Sequence, residues 1–471
     1  MTAKLRTGAL SLGESVLMGV AGTAPGFSIS VALPALIAIA GVLAPGALII
    51  FALPMFGIAM AYKGLGARMP NAGAGYEWAG RLFGKPLGFA SGWALLVAAA
   101  VFTVTGSSPL GAATLSLFVP HLADNVVLAT AVGAAWFVAI GVVLTVGIEL
   151  TARVQLTITL IQLAVLTIVL GAAAVHAISE GAVNMPSWRW FSLDYPPGTL
   201  ASSALLVVFF YWGWEVTASL SEETTSEHDG AGTGGFLSVV VTASYFVAFA
   251  LATLVLFDVG DKQTFSDNLV YSIAQHAGLG RIGGLAASLA VILSSVAAME
   301  SLLLQFSRTL FAMGRDGSIP RFLGVIHERT QTPVNAMYLI LSLGLVLIFM
   351  ASFMSSIGTI LATSVTAISL QVSFYYGLAG LACAWLYRDT WRTPGKFVLY
   401  AVYPLVSAFC LAAVGVYAFL TFDTVTRVVG LGGLLLGLLF FRPNGYGSGG
   451  ARSKTSEDQA DQPVSPAPVL E

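Results

Sequence analysis

Charge is what this chain has least of: Asp, Glu, Lys and Arg make up 9% of its 471 residues, whereas 57% are hydrophobic. Apolar runs of about 20 residues with so little charge exclude an ordinary water-soluble domain. The alternating segments of about ten residues that mark a membrane β-barrel are missing as well. Only two cysteines occur, Cys383 and Cys410, each inside an apolar run, so neither a disulfide framework nor a cysteine metal site is expected. The five histidines, His121, His176, His228, His276 and His327, fall in predicted loops or at helix ends, and no haem, metal or other cofactor is expected. There is no basic arm for nucleic acid and no GxxxxGK[ST] phosphate loop, so this chain is not expected to use ATP itself. A membrane enzyme would need a cluster of His, Cys or carboxylates. The two acids expected to be buried, Glu215 and Glu300, lie on different segments. No repeated stretch resembling a channel filter occurs either.

What is present is a series of twelve apolar segments, at roughly 12–40, 45–66, 87–118, 126–148, 153–176, 199–220, 235–257, 282–313, 334–352, 357–387, 397–420 and 425–441. The expected fold is an all-α integral membrane protein with 12 transmembrane helices. With the N-terminus cytoplasmic, 17 of the 21 Lys and Arg face inward, leaving Arg189, Lys262, Arg281 and Arg427 outside. That asymmetry predicts cytoplasmic termini and an even number of crossings, in the plasma (inner) membrane. The expected layout is a cytoplasmic N-terminus at 1–11, a transporter domain at 12–442 and a disordered tail at 443–471, where the apolar period stops. Lys4 and Arg6 precede a long interrupted segment without a cleavage-site pattern, which reads as a retained first helix.

Two segments are interrupted. As one straight helix, 12–40 would run about 43 Å, well beyond a hydrocarbon core of about 30 Å, and Gly22, Pro25 and Gly26 stand near its middle. Proline removes a helical hydrogen bond and glycine tolerates unwound backbone. Backbone freed this way is tolerated at membrane depth only against protein or water. A kinked helix packed through small residues would leave the same local trace. The second interruption is "FFYWGWE" at 209–215, where a glycine sits among bulky aromatics and ahead of Glu215. An ionisable residue at that depth costs about 2.5–3.5 kcal/mol on insertion scales. Interrupted segments at corresponding positions of two halves point to the midplane site of a secondary transporter.

At these residues the chain resembles an amino acid permease of the amino acid-polyamine-organocation superfamily, from about Leu10 to Arg442. The resemblance rests on the first break, on "RMPNAGAGYEWAGRLFGKPLGFASGW" (68–93), on "FFYWGWE" followed by the acidic "SEETTSE" (221–227), and on "SRTLFAMGRDGSIP" (307–320). It implies a five-plus-five inverted repeat of helices 1–5 and 6–10, with helices 11 and 12 peripheral. It further implies that the substrate carboxylate meets the first break at Thr23, Ala24, Pro25, Gly26 and Ser28. The ammonium would meet the carbonyls of Phe209, Phe210 and Trp212, with Gly213 permitting the break and Phe209 as an aromatic lid. Helix ends carry the matching partial charges.

The transport expected is ion-coupled, with protons favoured, or an exchange, and the coupled ion is less plain. Many proton-coupled relatives have a lysine where Gln162 stands, nine residues after Arg153. Glu300, about 12 Å of helix before Arg308, is an acid where many relatives carry a neutral Asn or Gln, and it is the expected proton carrier. Facing a water-filled vestibule or pairing with a neighbouring helix is its alternative role. Glu215 is the second proton candidate. Sodium would use the hydroxyls of Ser294 and Ser295, which serve equally well as packing residues. A pocket expected to hold acids but no Lys or Arg fits a neutral or cationic amino acid, or an amine, better than an acidic one.

Overall fold

The computed structural model describes residues 5, 7–192, 194–225, 230–259, 268–421 and 424–441. The tail expected at 443–471 lies outside them. Among the described residues the chain is helical throughout, apart from turns, loops and one isolated parallel bridge between Leu10 and Thr224. In chain order the helices are α1 (Leu12–Thr23), α2 (Pro25–Ala40), α3 (Ala44–Arg68), α4 (Gly75–Phe83), α5 (Lys85–Phe118), α6 (Val126–Val146), α7 (Ile148–Ser179), α8 (Pro197–Phe210) and α9 (Val216–Ser219). They continue as α10 (Gly230–Leu256), α11 (Leu269–Ala274), α12 (Gly280–Arg315), α13 (Val334–Ala351), α14 (Ile357–Leu386), α15 (Pro394–Phe397), α16 (Tyr403–Thr421), α17 (Thr424–Arg427) and α18 (Gly433–Phe440).

Nine helical stretches among the described residues are long and apolar enough to cross a membrane, and two shorter apolar helices, Gly198–Phe210 and Gly430–Phe440, accompany them. The first of the nine, Leu12–Arg68, has 57 residues, more than one crossing uses at about 20 residues. Local chemistry sets the ends. Ser11 and Glu14 form a reciprocal capping box at the start of α1, satisfying amides that the first helical turn leaves free. Asn125 and Ser356 cap α6 and α14 through their side chains.

The axis of the core is α12, buried without interruption from Ala297 to Gly314. A helix covered on every side is a core helix, and this one carries Glu300, Ser301, Gln305, Ser307, Arg308 and Thr309 inward with its leucines. α1, α5 and α7 pack around it. The outer helices turn large apolar side chains outward, among them Leu53, Ile168, Val346, Phe349, Val406 and Leu438. Apolar side chains outside and polar ones inside suit a protein whose solvent is lipid.

Candidate functional site

α1 and α2 would be one helix but for Ala24, which sits in the left-handed region at φ 48 and ψ 63. Pro25 accounts for the break: a proline disfavours the right-handed helical conformation for the residue before it, while being well placed as the first residue of a new helix. α8 ends at Phe210, and Gly213, at φ 104, turns the chain before the single turn of α9. The two interruptions touch. A Cβ built on Gly22 would strike the carbonyl oxygen of Gly213, and one built on Gly213 would strike that of Gly22.

Beside this contact lies a small cavity of about 10 Å³, room for about one water. Six residues expected in the site line it: Thr23, Ala24, Ser28, Phe209, Trp212 and Gly213. Pro25, Gly26 and Phe210 do not. At about 100° per residue, Gly26 points away to α12, where a Cβ would come 3.0 Å from the Cβ of Ser294. The Phe27 amide donates to Ser294 Oγ at 3.1 Å. Ser295 Oγ donates to the carbonyl of Val291 in its own helix. The carbonyl of Phe209, expected to face an ammonium, accepts from Trp212 N–H at 3.2 Å and also from the Tyr211 amide at the end of α8.

The rest of the lining went unread in the sequence. Phe27 and Phe102 join Trp212 in an aromatic wall, with Phe27 edge-on to Phe102 and Phe102 edge-on to Trp212. α12 contributes Ala298, Ser301, Leu302 and Gln305. The spacing of these four, which marks one helical face, is a signal the sequence does contain. Contrary to expectation, no acid lines the cavity among the described residues.

Glu215 is buried close to the second bend and fully engaged. Its carboxylate accepts from the Gly213 amide at 2.9 Å, from the Tyr375 hydroxyl at 2.6 Å and from the Tyr376 hydroxyl at 2.5 Å. Tyr375 in turn accepts from Trp212 Nε1. The bend in the sixth apolar segment is thereby tied to α14. Glu300 is buried in α12 with Oε1 lacking a hydrogen-bond partner in the protein. Gln162 is buried in α7 with both side-chain polar atoms unpartnered. About two turns earlier in α7, Gln155 donates to the Ala297 carbonyl and to Ser301 Oγ.

At the α1 end of the bundle, the acidic loop that follows α9 finds its cations. Glu223 forms a two-pronged pair with Arg308, both bonds 3.0 Å, with side chains 0% and 1% exposed. Glu222 accepts from Arg315 and from the Ala72 amide. The loop backbone brackets Leu10: Leu10 N–H donates to the Glu223 carbonyl, and Thr225 N–H to the Leu10 carbonyl. Asp316, just past α12, has its carboxyl pushed up to about 6 by burial, then by Glu77. Arg315, a Tyr76 hydrogen bond and Arg81 oppose the shift. A carboxyl raised from 3.8 in this way contributes stability that is complete below the unfolded value and lost as pH rises through the folded one. Asp316→Asn is therefore expected to raise the thermal midpoint at pH 7.5, with the gain vanishing near pH 4. The side chain is 36% exposed, so water screens the effect. Equal gains at both pH values would contradict it.

A family profile described as "Amino acid permease" matches residues 10–432. The chain is 27% identical over 351 residues to cationic amino acid transporter 4, vacuolar, of Arabidopsis thaliana, covering 67% of this chain and 55% of that protein. It thus spans little more than half of that relative's length. It is 22% identical over 395 residues to a low-affinity putrescine importer of Escherichia coli (strain K12), covering 81% of each. A branched-chain amino acid permease of Bacillus subtilis (strain 168) is 27% identical over 307 residues, covering 61% of this chain and 63% of its own.

Proposed function

The chain belongs to the amino acid permease family, and from that premise we propose that it is a secondary transporter that carries an amino acid across the membrane by alternating access. One observation carries the reading: two interrupted helices meet at a cavity with opposite ends turned toward it. The N-terminal end of α2 offers the positive end of a helix dipole and the Gly26 amide, the Phe27 amide being held by Ser294 Oγ, and the C-terminal end of α8 offers carbonyls and the negative end. An α-amino acid carries the complementary pair of charges on adjacent atoms. Thr23, Ala24 and Ser28, with the backbone that opens α2 at Pro25 and Gly26, form the carboxylate side. The carbonyls of Phe209, Phe210 and Trp212 form the ammonium side, and Gly213 permits the bend.

In this reading the chain crosses the membrane twelve times as a five-plus-five inverted repeat, with both termini in the cytoplasm of a cell bounded by this plasma membrane. The family membership, the long Leu12–Arg68 stretch, which holds two of the twelve segments, and the two shorter apolar helices support that count, and the bias of Lys and Arg supports the orientation. Transport is coupled to protons. Glu300, a buried acid with an unpartnered oxygen, is the carrier, since Glu215 has both its oxygens occupied by donors. The test is uptake by proteoliposomes of the full chain under an imposed pH gradient or, separately, a sodium gradient, with wild type and Glu300→Gln. Proton-driven accumulation lost in the variant is expected. Accumulation that survives the substitution removes Glu300 from the role. Accumulation driven by sodium alone moves it to Ser294 and Ser295.

A further inference from the structure

The cavity's polar side chains are nearly all committed to the protein. Thr23 Oγ1 donates to the Val20 carbonyl, Ser28 Oγ to the Thr23 carbonyl, and Trp212 Nε1 to Tyr375. Ser301 Oγ accepts from Gln155 and donates to the Met18 carbonyl. Gln305 differs. It lines the cavity, it is 1% exposed, and its Nε2 has no hydrogen-bond partner in the protein. On α12 it stands two turns from Ala298, on the same face.

Negative charge is withheld from the same cavity. Glu215 is saturated by three donors and Glu223 by Arg308, and Glu300 does not line the wall. Resting on the transport reading above, we infer that Gln305 determines specificity by hydrogen-bonding the substrate's side chain, and that the substrate is a neutral amino acid with a hydroxyl or carboxamide.

A second ammonium, as in lysine or putrescine, would give up its hydration here without a counter-charge. The aromatic wall offers ring faces as partial compensation, yet Phe27, Phe102 and Trp212 are turned edge-to-face on one another. A hydroxyl or carboxamide needs no counter-charge and pairs with an amide that is otherwise left buried and unsatisfied, a penalty larger than the net worth of an ordinary hydrogen bond. An alkyl side chain of the same size leaves that penalty standing.

Proteoliposomes holding the full chain are assayed with serine, alanine, lysine and putrescine. Wild type is expected to show kcat/KM for serine about tenfold above that for alanine, with lysine and putrescine below both. Gln305→Met is expected to collapse the serine-to-alanine ratio about tenfold, and Gln305→Glu to raise lysine relative to serine. A residue that merely supports the fold would lower all four substrates together and leave the ratios unchanged, which overturns the inference. Should the variants not fold, the wild-type ratios still decide: alanine equal to serine, or lysine or putrescine ahead of both, refutes it while leaving the transporter intact. Absence of transport of all four, with no binding of any other amino acid, removes the underlying reading as well.

Discussion

Arg308→Met is expected to destabilise the protein by about 3–5 kcal/mol, the usual loss when one partner of a buried ion pair is removed. Glu223 would be left unpaired at 0% exposure, having lost both 3.0 Å bonds. The attraction within such a pair is offset by desolvation of both ions, so the pair's net worth is small and the penalty falls on the survivor. Arg308→Met combined with Glu223→Leu should therefore recover most of the loss. Denaturation of the detergent-solubilised protein, followed for wild type, both single variants and the double, measures the coupling. A single variant as stable as wild type would show that water reaches the pair.

Gly213→Val is expected to reduce transport at least a hundredfold while the chain still inserts. Two constraints act together. The backbone is at φ 104, where a β-branched residue is strained, and a Cβ there would press into Gly22, whose carbonyl carbon lies 2.7 Å away. The obstacle is backbone and cannot rotate aside, so the two interruptions would be forced apart and the cavity between them distorted. Initial uptake rates, normalised to folded protein by size-exclusion chromatography, provide the measurement. Uptake within a factor of two of wild type would show that the contact between the two bends is not needed.

Both interruptions were readable because their causes are local. Pro25 acts on the residue before it, and the glycine among aromatics at 209–215 loosens the backbone at membrane depth, where that is tolerated only beside protein or water. Which side chains enter the cavity was harder. Gly26 was expected with Ser28 at the site, yet helical rotation turns it toward Ser294, and a break shifted by one residue reassigns every direction after it. The partners of Glu215 lie about 160 residues away on α14. Nothing local marks Tyr375 and Tyr376 as donors rather than packing. In the sequence the acidic stretch after α9 is part of the family resemblance, and nothing local shows that Glu223 and Glu222 pair with Arg308 and Arg315, which lie about 90 residues away. Gln305 carried no flag, because a glutamine in an apolar run reads as a packing residue until its surroundings are known.

The bracket around Leu10 has a consequence for hydrogen exchange. Its amide is held by the Glu223 carbonyl, and its own carbonyl holds the Thr225 amide, so these two protons exchange only when the segment leading into α1 parts from the loop following α9. Neither belongs to a helix, so local fraying rather than global unfolding sets their rates. Their protection factors therefore act as a clock for that separation. A substrate that slows exchange at Leu10 and Thr225 would be one that holds these two segments together.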